Sequence, residues 1–387
     1  MWSRASRAFG RVALAFLGAL GCSRAAPPAP EQRAIPGASA STSSAPVVVG
    51  APTTCLEARP ACRGRLAIGA AGKHLAYYAS RPLDGADARP TRAVIVLHGA
   101  RHSPEDYFQT MTGLAAAHGG LEATVVIAPH FQTASNRECW GATDAPAPDE
   151  LYWSCEGWKM GGAAEDDAAV SSFDALDALI ADLPRRFPGL THVTLAGHSA
   201  GAQLVQRYAA VTRIEETQRV PITFLVSSPS SYLYLDDRRL KKDARCTSPT
   251  DCALDKASFE APFHGAKACP GYDDFKYGLA HREGYAARAG EAEIRRRYAA
   301  RDVVLLLGDR DTGKAPEAAF GELDKSCAAN AQGPRDHSFR LERGLVYARY
   351  VSALFGARHA LAIVPGCGHE DACLFASAEA TRQLFER

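Results

Sequence analysis

The sequence has no apolar run long enough to cross a bilayer, no surplus of charge, no Cys-x-x-Cys knuckle and no internal repeat. Each absence removes a class of protein. A spanning helix needs about 20 apolar residues, and the N-terminal run from Val12 to Leu20 falls well short of that. Lys and Arg number 44 against 43 Asp and Glu, a formal net charge of +1 with the signs well mixed. Nucleic-acid binding would need a basic footprint, which is missing. The stretches Arg238-Arg239-Leu240-Lys241-Lys242 and Arg295-Arg296-Arg297 lack interleaved aromatics and read as solvated faces. Without close cysteine knuckles, and with histidines off ligand spacing around the cysteines, a structural zinc site is disfavoured.

What is present begins with a leader. Arg4, Arg7 and Arg11 precede the short apolar run, and Gly21-Cys22 follows it. This is the pattern of a secretory signal over residues 1–22. Ala19-Leu20-Gly21-Cys22 resembles a bacterial lipobox, with Ala19 where leucine is usual, so Cys22 is the expected lipidation site and membrane anchor. Ser23 rather than aspartate follows, which gives no signal for inner-membrane retention. Residues 23–54 are rich in Ala, Pro and Ser and nearly devoid of large apolar side chains. Such a segment cannot bury enough surface to offset its ordering entropy and reads as a disordered tether. Residues 55–387 form the body. The expected location is the bacterial cell envelope, lipid-anchored, or the secreted fraction.

There are eleven cysteines; with Cys22 set aside, ten remain. Cys55/Cys62, Cys139/Cys155, Cys246/Cys252 and Cys367/Cys373 lie close in sequence, leaving Cys269 and Cys327. An exported chain with this usage reads as disulfide-bonded, although sequence alone does not fix connectivity.

The body alternates apolar runs with amphipathic ones. Arg65–Ile68 and Leu75–Tyr78 flank a glycine-containing turn and predict a hairpin. Ala93–Leu97, Thr124–Ala128, Val193–Ala196, Ile222–Val226, Val303–Leu307 and Ala360–Val364 are continuous apolar strands of the kind buried on both faces. Helical spacing marks Phe173, Leu176, Leu179, Ile180 and Leu183, with Ser172 as the expected cap and Pro184 as the expected stop. It also marks Leu341, Leu345, Ala348, Ser352 and Phe355, ending at Gly356 in the left-handed cap position. The prediction is an α/β fold: a mostly parallel sheet covered by helices on both faces, with a loop-rich insertion over 130–162. Trp140, Tyr152, Trp153 and Trp158 in that insertion either line a pocket or pack it against the body, and Lys159 reads as a surface or loop-anchoring residue rather than a catalytic one.

Gly197-His198-Ser199-Ala200-Gly201 stands between a strand and a helix. Gly-x-Ser-x-Gly in that context holds a serine on a strained turn with its hydroxyl exposed. A serine hydroxyl is a weak nucleophile and needs a general base oriented by an acid. In an open parallel sheet such groups gather at the carboxyl ends of strands. After Leu307 the chain reads Gly308-Asp309-Arg310-Asp311, and after Val364 it reads Pro365-Gly366-Cys367-Gly368-His369. His369 is the expected base. Asp311 is the favoured acid and Asp309 the alternative, which can instead cap a turn. Oxyanion donors are expected at the N–H of Ala200 and of Ala100, in the loop Leu97-His98-Gly99-Ala100-Arg101, with His98 supporting that loop.

Taken together, these residues resemble the α/β-hydrolase superfamily from about 92 to 385. Leu97–Ala100, Phe187-Pro188-Gly189-Leu190, Ala196–Gly201, Ser228-Pro229-Ser230-Ser231-Tyr232, Leu307–Thr312 and Val364–His369 look like a group of largely uncharacterised bacterial serine hydrolases. The resemblance implies a triad of Ser199, Asp311 and His369, and no substrate. The leading expectation is hydrolysis of small-molecule or polymeric carboxylic esters through an acyl-enzyme, with no metal, nucleotide or other cofactor. The alternatives are a peptidase, amidase or acyltransferase on the same fold, or a surface lipoprotein that only binds.

Overall fold

Eight strands build one sheet in the order β1-β2-β4-β3-β7-β8-β11-β12. They are β1 (Arg63–Ala67), β2 (His74–Ala79), β3 (Arg92–Leu97), β4 (Thr124–Pro129), β7 (His192–His198), β8 (Ile222–Ser227), β11 (Asp302–Gly308) and β12 (Ala360–Val364). Among the described residues four two-residue strands lie outside it: β5 (Gln132–Thr133) pairs with β6 (Tyr152–Trp153), and β9 (Arg239–Leu240) with β10 (Phe259–Glu260). This computed structural model describes residues 54–69, 72–84, 87–134, 146–313, 323–334 and 338–386, all within one compact unit, Gly50–Arg387. The leader with Cys22, the tether up to residue 53, Cys139 and Trp140 lie outside the described residues.

The predicted opening hairpin is β1 and β2, antiparallel, with Leu66 opposite Leu75. Antiparallel pairing continues from β2 to β4, and every later pair of this sheet, from β4-β3 to β11-β12, is parallel. Parallel strands need crossovers, which the helices supply: α1 (Pro104–Ala117), α2 (Ser172–Arg186), α3 (Ala200–Val211), α4 (Glu291–Ala300), the single turn α5 (Cys327–Asn330), α6 (Arg340–Phe355), α7 (Asp371–Phe375) and α8 (Ala378–Phe385).

The period of two along each strand divides the core into two layers. Val94 and Val96 pack with Phe108 and Met111 of α1 and Leu374 and Leu384 of α7 and α8. Ala93, Ile95 and Leu97 pack with Leu176, Leu204 and Leu345 of α2, α3 and α6. Both faces of the central strands are therefore dry, which explains their unbroken apolar runs.

Two helix boundaries differ from expectation. Ser171, not Ser172, caps α2: its Oγ accepts from the Asp174 N–H, and its own N–H donates to the Asp174 carboxylate, both at 3.0 Å. The serine whose third neighbour is a carboxylate wins the cap, and Ser172 Oγ donates instead to Trp158 O at 2.6 Å. Helix α2 also continues past Pro184 to Arg186. Proline removes one donor but leaves later ones intact, and the Phe187 N–H still reaches Leu183 O at 2.8 Å. Gly356 closes α6 in the left-handed region at φ 67°, as expected.

Disulfides join Cys55–Cys62, Cys246–Cys252, Cys269–Cys327 and Cys367–Cys373, and Cys155 is also disulfide-bonded. This cross-linking fits an extracellular or periplasmic location. Among the described residues no helix is long and apolar enough to cross a membrane.

Candidate active site

The parallel register sets the site. Leu97, Gly197 and Val226 are neighbours across β3, β7 and β8, and Gly308 lies opposite Val364. Loops leaving β3, β7, β11 and β12 thus emerge at one edge of the sheet.

Ser199 turns the chain from β7 into α3 at φ 57° and ψ −114°, a conformation that costs a non-glycine residue of order 1–3 kcal/mol. The surroundings impose it. A Cβ on Gly197 would stand 2.5 Å from Gly201 C, and one on Gly201 would stand 2.5 Å from Leu97 O. Strand, turn and helix therefore pack backbone against backbone, and the Ser199 N–H donates to Ser227 O at 2.9 Å.

His369 reaches this turn from the loop after β12. Its Nε2 is 3.0 Å from Ser199 Oγ, and its Nδ1 is 2.9 Å from Asp311 Oδ2. An ionised carboxylate only accepts, so Nδ1 carries the proton and Nε2 is left to accept from the serine hydroxyl. The two loops are locked together. The Asp309 N–H donates to Val364 O at 3.1 Å, and the Arg310 N–H to Cys367 O at 3.0 Å. Gly308 allows this approach, because a Cβ there would meet Cys367 O at 2.4 Å. The Cys367–Cys373 disulfide closes the His369 loop from behind.

The two acid candidates separate cleanly. Asp311 is buried against His369, whereas the Asp309 side chain is exposed and accepts from the Gly366 N–H at 2.8 Å. Asp309 thus caps the turn before the histidine and does not touch the imidazole.

A sequence profile of the alpha/beta hydrolase family matches residues 94–384, most of the chain and all three of these groups. The chain belongs to that family. Among solved structures, the hydrolase is similar to the poly(3-hydroxybutyrate) depolymerase LpqC from Bordetella parapertussis, at 20% identity and a TM-score of 0.51, over 84% of this chain and 91% of that one. It is also similar to poly(aspartic acid) hydrolase-1 from Sphingomonas sp. KT-1, at 19% identity and a TM-score of 0.52, over 83% of this chain and 98% of that one. At these identities the likeness concerns the fold. No curated protein matches the sequence.

Electrostatics divide the hydrolase's site. Burial pushes the His369 imidazole down, and the Arg340 charge adds to this; the Asp311 hydrogen bond and charge and the Glu370 charge oppose it, leaving His369 below the ordinary histidine value. The ring is thus neutral at neutral pH. Burial raises the Asp311 carboxyl, but His369 and then Arg340 outweigh it, and Asp311 stays below the ordinary carboxylate range. Arg340 opens α6, and its Nη1 lies 3.4 Å from Asp311 Oδ1, the oxygen that does not face His369. Sequence reasoning missed this residue. The one available signal was a cation in the first turn of a helix, where the macrodipole disfavours it.

The loop after β3 stands beside the serine. A Cβ on Gly99 would be 3.8 Å from Ser199 Cβ. Ala100 belongs to that loop. Ala200 is the first residue of α3, where a backbone N–H has no intrahelical acceptor. Both expected oxyanion donors therefore lie on segments adjoining Ser199. His98 ties the loop down: its Nδ1 donates to Gly99 O at 2.9 Å, and its Nε2 accepts from the Phe131 N–H at 3.1 Å.

Trp153 and Trp158 are fully buried, with Trp158 ring to ring with His98 at 4.8 Å and with Phe131 at 5.9 Å. They pack the insertion onto the body, and Tyr152 is half-buried. Lys159 contributes its carbonyl to Arg207 Nη1 at 2.9 Å and its ammonium to Glu156 at 2.6 Å. Among the described residues no group of three His, Cys, Asp or Glu side chains is placed to hold a metal ion.

Proposed function

We propose that this hydrolase cleaves carboxylic esters with Ser199 as nucleophile, His369 as general base and Asp311 as the orienting acid. The observation that carries the reading is the unbroken line of two short contacts, Ser199 Oγ to His369 Nε2 at 3.0 Å and His369 Nδ1 to Asp311 at 2.9 Å.

In this reading Ser199 Oγ attacks the acyl carbon as its proton passes to His369 Nε2. Asp311 stabilises the imidazolium and keeps its own charge. The carbonyl oxygen becomes an oxyanion facing the Ala200 and Ala100 N–H groups, each worth about 3 kcal/mol at the transition state. The imidazolium then protonates the leaving alkoxide, leaving an acyl-serine. Water, losing a proton to His369, attacks that acyl group, and the tetrahedral adduct releases the carboxylic acid as the proton returns to Ser199. Every proton removed is returned, and no external reductant or oxidant enters.

The substrate is read as a small-molecule or polymeric ester. Cys22 is read as the lipid anchor that ties the body to the cell envelope through its tether. Globomycin-sensitive processing of the full chain and loss of membrane association in Cys22→Ala test that part.

The test of the chemistry uses Ser199→Ala beside the parent protein. The parent is expected to hydrolyse short-chain nitrophenyl esters and to react with a fluorophosphonate, and the variant to do neither while melting at a similar temperature. Turnover retained in the variant sinks the assignment of Ser199. Faster cleavage of peptides than of esters by the parent moves the reading to a peptidase.

A further inference from the structure

Beside the serine turn lies an assembly of charged side chains that the chemistry above does not use. Helix α3 carries it. One turn beyond Ser199, the Gln203 N–H donates to Ser199 O at 3.2 Å. One turn further, Arg207 is fully buried. Its Nη1 donates to Lys159 O at 2.9 Å, and its Nη2 donates to Gln203 Oε1 at 2.9 Å and Ser231 Oγ at 3.1 Å. Every one of these acceptors is neutral, and its buried Nε has no hydrogen-bond partner among the described residues. A buried charge is costly unless paired, and burial pulls the guanidinium down to about 10. The protein keeps an under-compensated cation within three turns of its nucleophile, ~12 Å along the helix axis at 1.5 Å per residue.

Two ammonium groups extend this positive region towards solvent. Lys159 Nζ is 2.6 Å from Glu156 Oε1, and Lys276 Nζ is 2.8 Å from Glu156 Oε2. Asp324 lies 3.9 Å from Lys276 and also accepts from Tyr277 OH at 2.8 Å. Three cations therefore face two carboxylates. The Glu156 side chain is 56% exposed, while the two lysines are 13% and 15% exposed. The two lysines are largely buried, and the carboxylate that bridges them is the exposed member of the group. The gap between the ammonium groups already fits a carboxylate, one oxygen to each nitrogen. Lys159 directly follows Trp158, whose ring lies against His98 of the loop beside Ser199, and Arg207 joins the Lys159 carbonyl to Ser231 in the loop that leaves β8.

We propose that Lys159 and Lys276, backed by Arg207, form a subsite for a carboxylate on the substrate, which Glu156 occupies when no substrate is bound. The hydrolase then prefers esters whose acyl or alcohol part carries a remote anionic group. This rests on Ser199 being the nucleophile, as proposed above.

The test compares nitrophenyl esters of ω-carboxy acids, from succinyl to sebacoyl, with methyl-ended esters of matched length. At one chain length the anionic ester is expected to show kcat/KM at least about tenfold above its neutral partner, the size of one charge-assisted hydrogen-bond contact. Lys159→Met and Lys276→Met each lower the anionic rate about tenfold more than the neutral rate, and Glu156→Gln raises the anionic preference by removing the competitor. A ratio near one at every length, unmoved by these variants, overturns the subsite. Calorimetric binding of free suberate and sebacate to Ser199→Ala separates the two readings, since it needs no turnover. Binding that disappears on adding Lys159→Met supports the subsite even if Ser199 proves not to be the nucleophile, and absence of binding overturns it even if neutral esters are cleaved.

Discussion

Replacing Arg340 by methionine probes the site from the side opposite the serine. Its guanidinium and the Asp311 carboxylate are 2% and 4% exposed and 3.4 Å apart. At an effective dielectric of about 20, unit charges at that separation attract by about 5 kcal/mol before desolvation is counted. Removing one partner of a buried pair costs ~3–5 kcal/mol, because the other charge stays buried. Asp311 retains its His369 hydrogen bond, which places the expected loss of unfolding free energy at the lower end, about 3 kcal/mol. The sharper readout is the pH profile. In the proposed mechanism His369 must be neutral to act as base, and the Arg340 charge is one of the two influences that hold the imidazolium down. Without it the His369 pKa rises, so the acid limb of kcat/KM moves to higher pH, and the loss of rate is greater on the acid side than on the alkaline side. Arg340→Lys keeps the charge and should leave the limb near its parent position. Denaturant titration gives the stability term, and initial rates on a neutral ester between pH 4 and 9 give the limb. A destabilised Arg340→Met protein with an unmoved acid limb would refute the electrostatic role and leave Arg340 as packing alone.

Two further outcomes follow from the same geometry. Asp311→Asn reverses the hydrogen-bonding preference at His369 Nδ1 and should lower kcat by ~10⁴-fold, while Asp309→Asn stays within a few-fold of the parent, since Asp309 touches only the Gly366 turn; comparable losses in both would reopen the choice of acid. Joint Cys367→Ser and Cys373→Ser substitution opens a loop of six residues, which by chain entropy stabilises by about 2 kcal/mol, and is expected to lower kcat more than it raises KM because His369 loses its support; unchanged kcat with a lowered melting temperature would show that the loop is held by the Gly308 approach alone.

The placement of the three groups was legible because each follows a recognisable strand, and strand ends converge in a parallel sheet. Every apolar run expected as a strand lies in the main sheet, and the α2 and α6 patterns both gave helices, with small boundary errors in α2. The errors have local causes: Ser171 and Ser172 are both good caps, and only the position of Asp174 decides between them. What could not be read are contacts made by side chains on elements whose mutual position sequence does not state. Arg340 lies 29 residues beyond Asp311 and meets it only through the packing of α6 against β11. The tryptophans of the insertion are compatible with a pocket or with packing, since aromatic composition carries no direction. Nothing in the sequence distinguishes Arg207 from other helical arginines, and only its burial against neutral acceptors sets it apart.

The cysteine spacing bears on how this chain reaches its native covalent state. Three of the four described disulfides span six or seven residues, and the fourth spans 58. Encounter probability falls roughly as the −3/2 power of loop length, so a six-residue pair meets about 30-fold more often than a 58-residue one. Short-range pairs therefore close first and lower the number of free thiols. Cys269 and Cys327 then search for each other among few rivals, and a chain with many thiols avoids most of the wrong connections open to it.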